Sequence, residues 1–286
     1  MTTFDYDRPD TTAGLVARLA ERAAGGADAG TGGVAILAGG TDLLAQIRSR
    51  ALKPALVLDV KGVEELQQLQ ATDEGLSIGA GVILNRLIEE HEITGGYAAL
   101  LDAVRDLASY PIRNRATLVG NVANASPCAD TVPPLCVLGA EVELQGPDGP
   151  RRVPVQEFIT GNRETRRRPD ELVTRVVVPP PARGTWSGCS KRKRVKGHDL
   201  ALASAALLRD PGRRSLRLAV GSCSPAPALL VLDEMFERPD VEEAVRRTLD
   251  TIHPIDDVRA SIEYRRDMVA LMVRRLFAAL SASRGA

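Results

Sequence analysis

The sequence lacks the cysteine patterns that hold metal centres. Its four cysteines are widely spaced, and no two of them form a C-x-x-C pair. This excludes the usual ligand patterns of zinc sites and iron–sulfur clusters within the chain. Four cysteines in 286 residues also do not make the dense disulfide framework of a small secreted protein. We therefore expect a reduced, cytoplasmic protein that binds no metal ion itself.

The sequence also lacks net charge, aromatic residues and long apolar runs. Lysine and arginine number 37, as do aspartate and glutamate, so the whole molecule has no field that attracts polyanions. Aromatic residues make up 3% of the chain and offer little surface for stacking on bases. A membrane span needs about eighteen consecutive apolar residues, and no stretch of the sequence comes near this length. The acidic N-terminus does not resemble a signal peptide. We expect no nucleic-acid binding, no membrane span and no signal peptide.

The first segment that indicates a site is a strand followed by a glycine turn and a helix. Residues 34–37 form a short apolar run that leads into Gly39 and Gly40, and Thr41 and Asp42 precede the next apolar residues. Backbone N–H groups converge on an anion in such a turn, because glycine allows a close approach. The same pattern also fits an ordinary turn in which Asp42 is only the N-cap of the helix.

The second segment is the turn-rich stretch 111–130, which shows little periodicity of either kind. Its residues 116–130 are crowded with Gly, Asn, Ser, Thr and Asp. Long loops of this composition inside a compact domain are often functional. The alternative is a polar loop that caps the helix after Asp130.

Together, and in this order, the two segments resemble those of the flavoprotein subunits of the molybdenum hydroxylase family, which includes xanthine dehydrogenase and carbon monoxide dehydrogenase. In that family, loops similar to A-G-G-T-D-L-L and T-x-G-G-N-x-x-x-A-S-P-x-x-D jointly hold the pyrophosphate and flavin of FAD. Residues 76–84, 111–114 and 257–266 are similar to the family's I-G-A-x-x-x-L, Q-I-R-N and D-x-R-A-S-x-E-Y-R-R. The resemblance therefore extends over essentially the whole chain.

The resemblance implies FAD contacts from both loops and from two later positions. The implied contacts of the loops are Ile36, Gly39, Gly40, Thr41, Asp42, Thr117, Gly120, Asn121 and Asp130. Val173 aligns with an apolar residue beside the flavin, and Lys191 aligns with a lysine near its polar edge.

Two positions depart from the family pattern. Val119 replaces the first glycine of the family's pair, so its backbone does not freely adopt a positive φ. Either this site is unstrained here or its contact with FAD is weakened. Ser190 stands where relatives often carry an aromatic residue, and Trp186 is a candidate to replace the lost stacking contact, although it also fits a core position.

The resemblance implies an α+β fold. An FAD-binding domain of two α/β subdomains (PCMH-type), about residues 1–54 and 55–180, precedes a smaller domain, residues 181–286, with a three-stranded antiparallel sheet and helices. The triple proline at 179–181 supports a boundary there.

The implied function is that of an FAD-binding electron-transfer subunit of a heteromeric molybdenum-dependent dehydrogenase. It takes electrons from [2Fe-2S] clusters on a small partner subunit and passes them to NAD+, a quinone or another acceptor. A large partner subunit binds the molybdopterin cofactor, and the complex is expected to be a dimer of heterotrimers.

Three alternatives stay open. One is a stand-alone flavoenzyme of the same superfamily, similar to the cell-wall enolpyruvyl reductase. Another is an assembly subunit that has lost FAD, which Val119 brings into consideration. The third is a nucleic-acid site at the basic run 191–196, which the zero net charge and the few aromatic residues disfavour.

Overall fold

The computed structural model describes residues 3–24, 33–90 and 95–283. A small parallel sheet of three strands lies in its N-terminal part. The sheet has the strand order β1-β3-β2. Its elements are β1 (Asp5–Asp7), α1 (Thr12–Ala24), β2 (Val34–Leu37), α2 (Leu43–Arg48) and β3 (Leu56–Asp59). All four residues of the central strand β3 are buried, as expected for a strand covered on both faces. This sheet therefore continues past residue 54, where the sequence places the end of the first subdomain.

The second sheet has five antiparallel strands in the order β4-β5-β10-β6-β7. They are β4 (Leu69–Thr72), β5 (Gly75–Gly79), β6 (Glu141–Gly146), β7 (Gly149–Pro154) and β10 (Leu172–Val178). The connection from β5 to β6 contains the helices α3 (Leu84–Glu89), α4 (Ala98–Asp106), α5 (Tyr110–Arg113), α6 (Leu118–Ala123) and α7 (Val132–Leu138). After β7 come α8 (Val155–Phe158) and a small hairpin of β8 (Ile159–Gly161) and β9 (Glu164–Thr165).

Short 3-10 turns connect several of these elements. They are Val60–Gly62, Glu64–Gln67 and Gly95–Tyr97. The stretch 111–130, expected as a loop, contains most of α5 and all of α6. A helix of four or six residues is too short to show a helical period in the sequence.

The C-terminal sheet has four antiparallel strands, one more than expected. Its elements are β11 (Trp186–Arg192), β12 (Ala203–Asp210), β13 (Ser215–Gly221), β14 (Ala228–Val231), a 3-10 turn (Asp233–Met235), α9 (Val241–Thr251) and α10 (Ile262–Ser283). The alanine-rich segment before residue 210, whose composition also fits a helix, forms strand β12. In the part of the chain that is described, no helix is long and apolar enough to cross a bilayer.

Both faces of this C-terminal sheet are buried. Alternate residues of β12 point to opposite sides. Ala206 and Leu208 join the large core of the N-terminal region, which includes α7. Ala205 and Leu207 belong to a second core together with residues of α9 and α10. The C-terminal sheet is thus packed firmly against the region that carries both glycine-bearing segments.

Candidate functional site

The first glycine loop lies directly against the start of the second segment. Gly40 has φ +74°, a left-handed conformation that favours glycine. A Cβ atom on Gly39 would lie 2.1 Å from the carbonyl oxygen of Arg115 and 2.8 Å from the Cα atom of Ala116. Gly39 is therefore required by a close approach of two backbone segments, and the two predicted loops are neighbours in space.

A partly buried ion pair supports the beginning of this loop. Lys61 Nζ donates a hydrogen bond to the carbonyl oxygen of Ala38 at 3.1 Å and lies 2.7 Å from the Asp59 carboxylate. Tyr6 also donates to Asp59, at 2.7 Å. Burial by itself would raise the pKa of Asp59, but these hydrogen bonds and the charge of Lys61 outweigh it and hold the pKa below its usual value. Asp59 is therefore ionised at neutral pH and holds Lys61 at the end of the sheet.

Asp42 has a different role from the helix cap that its position suggests. It precedes α2, yet its side chain makes no capping hydrogen bond to that helix. Its carboxylate accepts hydrogen bonds from the side chains of Gln46 and Arg163 instead. Thr41, beside it, is exposed, whereas Ile36 is half-buried in β2. The loop therefore follows an apolar strand and exposes its polar groups to solvent.

In the second segment, Thr117 caps α6. It is buried, and its Oγ1 accepts a hydrogen bond from the backbone N–H of Gly120 at 3.0 Å. A Cβ atom on Gly120 would lie 2.8 Å from this same oxygen. Glycine at position 120 thus leaves room for the cap that starts the helix.

Val119 occupies an unstrained position. It lies within the right-handed helix α6, and its side chain is buried in the large core. No left-handed backbone is needed there, so the loss of the family's first glycine costs no backbone strain. Asn121, two residues further along α6, accepts a hydrogen bond from the buried Thr131 hydroxyl at 2.7 Å, which fixes the orientation of its amide.

Arg163 lies outside both predicted segments in the sequence, yet it joins them in the structure. Its Nη1 donates to Asp42 at 2.9 Å and to Asn124 at 2.7 Å. Its backbone N–H donates to the carbonyl oxygen of Ala125 at 2.9 Å, and its φ is +60°. A left-handed arginine in a hairpin turn leaves little trace in a sequence. The guanidinium nevertheless bridges residues that are far apart along the chain.

At the other end of the second segment, Asp130 and Lys191 form a buried ion pair. Lys191 Nζ lies 2.6 Å from Asp130 Oδ2, with the side chains 8% and 10% exposed. Burial raises the pKa of Asp130; Lys191 offsets this only in part, and the nearby Asp106 carboxylate adds to the rise. Asp130 Oδ1 is buried and has no hydrogen-bond partner among the described residues. This oxygen is available to a ligand that donates a hydrogen bond.

A cavity of about 220 Å³ opens beside this pair. Polar residues of its wall are Asp102, Asp106, Asp130, Ser190, Lys191 and Ser204. Cys189 also lines it, and burial raises the pKa of this thiol to about 12. The thiol is therefore neutral at physiological pH. The small side chain of Ser190, at the position where an aromatic residue was expected from the family, leaves space in this wall.

The structure thus brings the predicted residues together in two groups. The glycine loop and the start of α6 form one group, and Asp130 and Lys191 form the other. Val173 is buried in strand β10, against which α6 packs. Its place beside a flavin stays a prediction, as do the ligand roles of the other predicted residues.

Comparison with family models identifies two matching regions. Residues 2–181 match the FAD binding domain in molybdopterin dehydrogenase. Residues 190–280 match the CO dehydrogenase flavoprotein C-terminal domain. The two matches together span most of the chain.

Individual relatives agree with these family models. The chain is 27% identical over 280 residues to the carbon monoxide dehydrogenase medium chain of Hydrogenophaga pseudoflava, covering 95% of each chain. It is 29% identical over 261 residues to a xanthine dehydrogenase FAD-binding subunit of Escherichia coli O157:H7, covering 87% of this chain and 89% of the relative.

Solved structures show the same architecture. Carbon monoxide dehydrogenase from Hydrogenophaga pseudoflava, in a form lacking the Mo-pyranopterin moiety, contains a chain that superposes with a TM-score of 0.86 at 25% identity, covering 98% of this chain and 97% of the other. For reconstituted CO dehydrogenase from Oligotropha carboxidovorans the TM-score is 0.83 at 28% identity, with 96% of each chain covered.

Proposed function

Because this chain belongs to the family of FAD-binding subunits of molybdopterin dehydrogenases, we propose that it carries electrons from a partner subunit, through FAD, to a soluble or membrane-borne acceptor. The resemblance and the α+β fold class expected from the sequence are confirmed. The chain is a subunit of an oxidoreductase of the molybdenum hydroxylase type. The direction of electron flow and the acceptor, NAD+ or a quinone, are our proposal.

The observation that carries the proposal is the meeting of the two loops at Gly39. The backbone contact between Gly39 and Arg115, and the Arg163 bridge from Asp42 to Asn124, both join the first loop to the second segment. We call the residues at these two connections the rim. Backbone N–H groups, a threonine hydroxyl and a guanidinium are the donors that a pyrophosphate prefers. We assign the pyrophosphate of FAD to this rim, with Gly39, Gly40, Thr41, Gly120 and Asn121 around it.

The pair Asp130–Lys191 fits the flavin end of the cofactor. The buried Asp130 Oδ1 has no partner among the described residues and can accept a hydrogen bond from a flavin N–H or a ribityl hydroxyl. Lys191 places a positive charge at the wall of the cavity, where it favours electron density on a bound ring. Bound FAD would supply both one-electron and two-electron redox chemistry, which links single-electron carriers to a two-electron acceptor.

This assignment leaves the metal cofactors on other chains. We propose a large subunit with the molybdopterin cofactor and a small subunit with [2Fe-2S] clusters, assembled as a dimer of heterotrimers. Support comes from the family match and from relatives that are named as medium chains. The four cysteines of this chain are free, which suits the reduced, cytoplasmic setting that we propose.

The test is the composition of the purified protein. The tagged chain is isolated from cells that express the whole complex, and flavin, iron and molybdenum are measured together with the polypeptides present. We expect one FAD per chain and two further polypeptides with iron and molybdenum. A complex that contains iron and molybdenum but no flavin would contradict FAD binding, and an active lone flavoprotein would support the stand-alone alternative.

A further inference from the structure

A buried arginine connects the motif 257–266 to the C-terminal sheet. Arg265 is 3% exposed, and its Nη2 donates a hydrogen bond to Asp257 Oδ1 at 2.8 Å. Asp257 Oδ1 also accepts from the backbone N–H groups of Arg259 at 2.9 Å and Ala260 at 3.1 Å. A guanidinium that is removed from water must be paired and hydrogen-bonded. The Asp257 turn therefore holds Arg265 at one fixed position in α10, which packs against the sheet.

A first connection runs from Arg265 to the backbone beside Lys191. Arg265 Nη1 donates a hydrogen bond to the carbonyl oxygen of the buried Leu202 at 2.5 Å. The backbone N–H of Leu202 donates in turn to the carbonyl oxygen of Arg192 at 2.8 Å. Arg192 ends strand β11 and directly follows Lys191. Through Leu202, Arg265 therefore holds the backbone from which Lys191 reaches Asp130.

A second connection runs from Arg265 to the segment that carries Asp130. The same Nη1 donates to the carbonyl oxygen of Ser222 at 3.3 Å. The backbone N–H of Ser222 donates to the carbonyl oxygen of Pro127 at 2.9 Å, three residues before Asp130. Ser222 has φ +63°, and a residue other than glycine keeps this strained conformation only where its surroundings enforce it. Arg265 and Pro127 are such surroundings, because they hold Ser222 from both sides.

The part of the sheet between these two connections forms a wall of the cavity. Lys191 pairs with Ser204 on β12, and Ser204 pairs with Gly221 on β13. A Cβ atom on Gly221 would lie 2.7 Å from Ser204 Oγ and 2.8 Å from Pro133 Cγ. Ser204 and Pro133 both line the cavity. Closely packed interiors transmit strain, and Ser222 directly follows Gly221, so a shift of Ser222 would move this wall.

We propose that Arg265 is a positioning residue for the buried pair Asp130–Lys191. It acts from outside the cavity, through the backbone of Leu202 and Ser222. Because the pair is about nine-tenths buried, its energy changes steeply with the distance between the two charges. With a flavin bound at the cavity, Arg265 thereby sets the electrostatic environment of the flavin ring. This last step rests on the proposed function, whereas the positioning of the pair does not.

The experiment compares Arg265→Lys with wild type in the intact chain. Lysine keeps the positive charge but lacks the planar fork that reaches Asp257 and two carbonyl oxygens at once. We expect FAD affinity to fall roughly fivefold. At saturating FAD, the visible absorption spectrum of the bound flavin should also differ from that of wild type, which a loss of stability alone would not cause. The matched control is Arg266→Lys, which should resemble wild type in both measurements: Arg266 Nη1 donates to the carbonyl oxygen of Leu249 at 2.9 Å, and neither residue lines the cavity.

A double-mutant cycle with Lys191→Met tests the positioning independently of flavin. Arg265 and Lys191 share no hydrogen-bond partner among the described residues, and substitutions at such sites ordinarily add in their effects on stability. We expect Lys191→Met to lower the urea denaturation midpoint at most about half as much in the Arg265→Lys background, because the pair is already displaced there. In the Arg266→Lys background the decrease in midpoint should keep its full size.

The outcomes separate this proposal from the proposed function. A wild-type chain that binds no FAD contradicts the proposed function, and the double-mutant cycle then still decides whether Arg265 positions the pair. Additive decreases in the urea midpoint overturn the positioning, and an unchanged flavin spectrum in Arg265→Lys overturns its effect on the flavin. If Arg265→Lys does not fold, Asp257→Asn takes its place with the same measurements and the same outcomes. Asparagine keeps an oxygen that accepts the backbone hydrogen bonds but removes the charge that holds Arg265, and the Asp257 side chain is 31% exposed.

Discussion

The two ends of the candidate site are built on different physical principles. At the glycine end, two backbone segments approach so closely that Gly39 has no room for a Cβ atom, and the pKa of the buried carboxyl there, Asp59, is held below its usual value. At the other end, Asp130 and Lys191 are both about nine-tenths buried and pair at 2.6 Å. The glycine end therefore depends on shape and hardly on pH, whereas the Asp130–Lys191 end depends on charge and on pH. Four predictions, ranked by expected loss of bound flavin, test this contrast.

The largest effect is expected for Gly39→Val. A side chain there collides with the Arg115 carbonyl and separates the two loops, at a cost of about 1–3 kcal/mol. We expect FAD affinity to fall at least about tenfold at every pH from 6 to 9, as measured by flavin fluorescence titration. The control is Gly197→Val, because a Cβ atom at Gly197 meets nothing within 4 Å. Equal flavin affinity in the two variants would contradict the close-approach explanation.

The second effect is expected for Lys191→Met, which leaves the Asp130 carboxylate buried without its cation. Removing one partner of such a pair costs about 3 kcal/mol of unfolding free energy, measured by urea denaturation. Flavin affinity should fall several-fold as well, because the variant loses a charge at the cavity wall. Lys193→Met is the control: its partner Asp106 is 44% exposed, so we expect a loss below about 1 kcal/mol.

The pH dependence of Lys191→Met has a definite sign. Burial already raises the pKa of Asp130 in the folded protein, and loss of Lys191 raises it further. A carboxyl whose folded pKa lies above its unfolded value takes up protons on folding, so stability falls as the pH rises through that interval. The difference in unfolding free energy between wild type and Lys191→Met should therefore become smaller as the pH is lowered towards the ordinary carboxyl pKa range. If this difference in unfolding free energy does not change with pH, Asp130 does not titrate in the pH range measured.

A smaller effect is expected for Arg163→Gly. Loss of the half-exposed bridge between Asp42 and Asn124 should weaken FAD binding by about 1 kcal/mol, roughly fivefold. Arg50→Gly is a matched control, since Arg50 is also a left-handed arginine, with φ +62° against +60°. Glycine relieves backbone strain in both variants, so only Arg163→Gly should bind flavin less tightly. Equal FAD affinity in the two variants would show that Arg163 does not contribute to FAD binding.

The smallest effect on flavin is expected for Val119→Ala. Val119 is buried in the core from inside α6, so truncation should lower the unfolding free energy by about 2 kcal/mol. Flavin bound per folded chain should stay at the wild-type level. If flavin is lost, the valine supports the cofactor site directly. Val231→Ala, at a half-exposed edge position, should change neither quantity.

Much of the fold was predictable because its strands and longer helices carry clear patterns. Residues 34–37, the short apolar run before the glycine turn, form strand β2 as expected. The helices α5 and α6 were missed because four and six residues show no period. The alanine-rich β12 was ambiguous in sequence, since burial on both faces removes the alternation that marks a strand. The additional strand β14 is only four residues long.

The site was predictable only where it lies in motifs. Gly39, Gly40 and Thr117 belong to recognisable segments, and local geometry explains why glycine or threonine stands at each position. Arg163 and Asp106 belong to no motif. They lie in the site because a distant hairpin and a helix end pack there, which no local pattern encodes.

The sequence by itself determined the family, the fold class and the positions of the two loops, because these depend on residue types at fixed local spacing. Only the tertiary structure decided which groups meet. It set the contact of Gly39 with Arg115, the bridge by Arg163, the burial of Asp130 with Lys191 and the unstrained place of Val119. The physical reason is that steric contact and desolvation depend on distance in space, and distant segments come together only when the cores form.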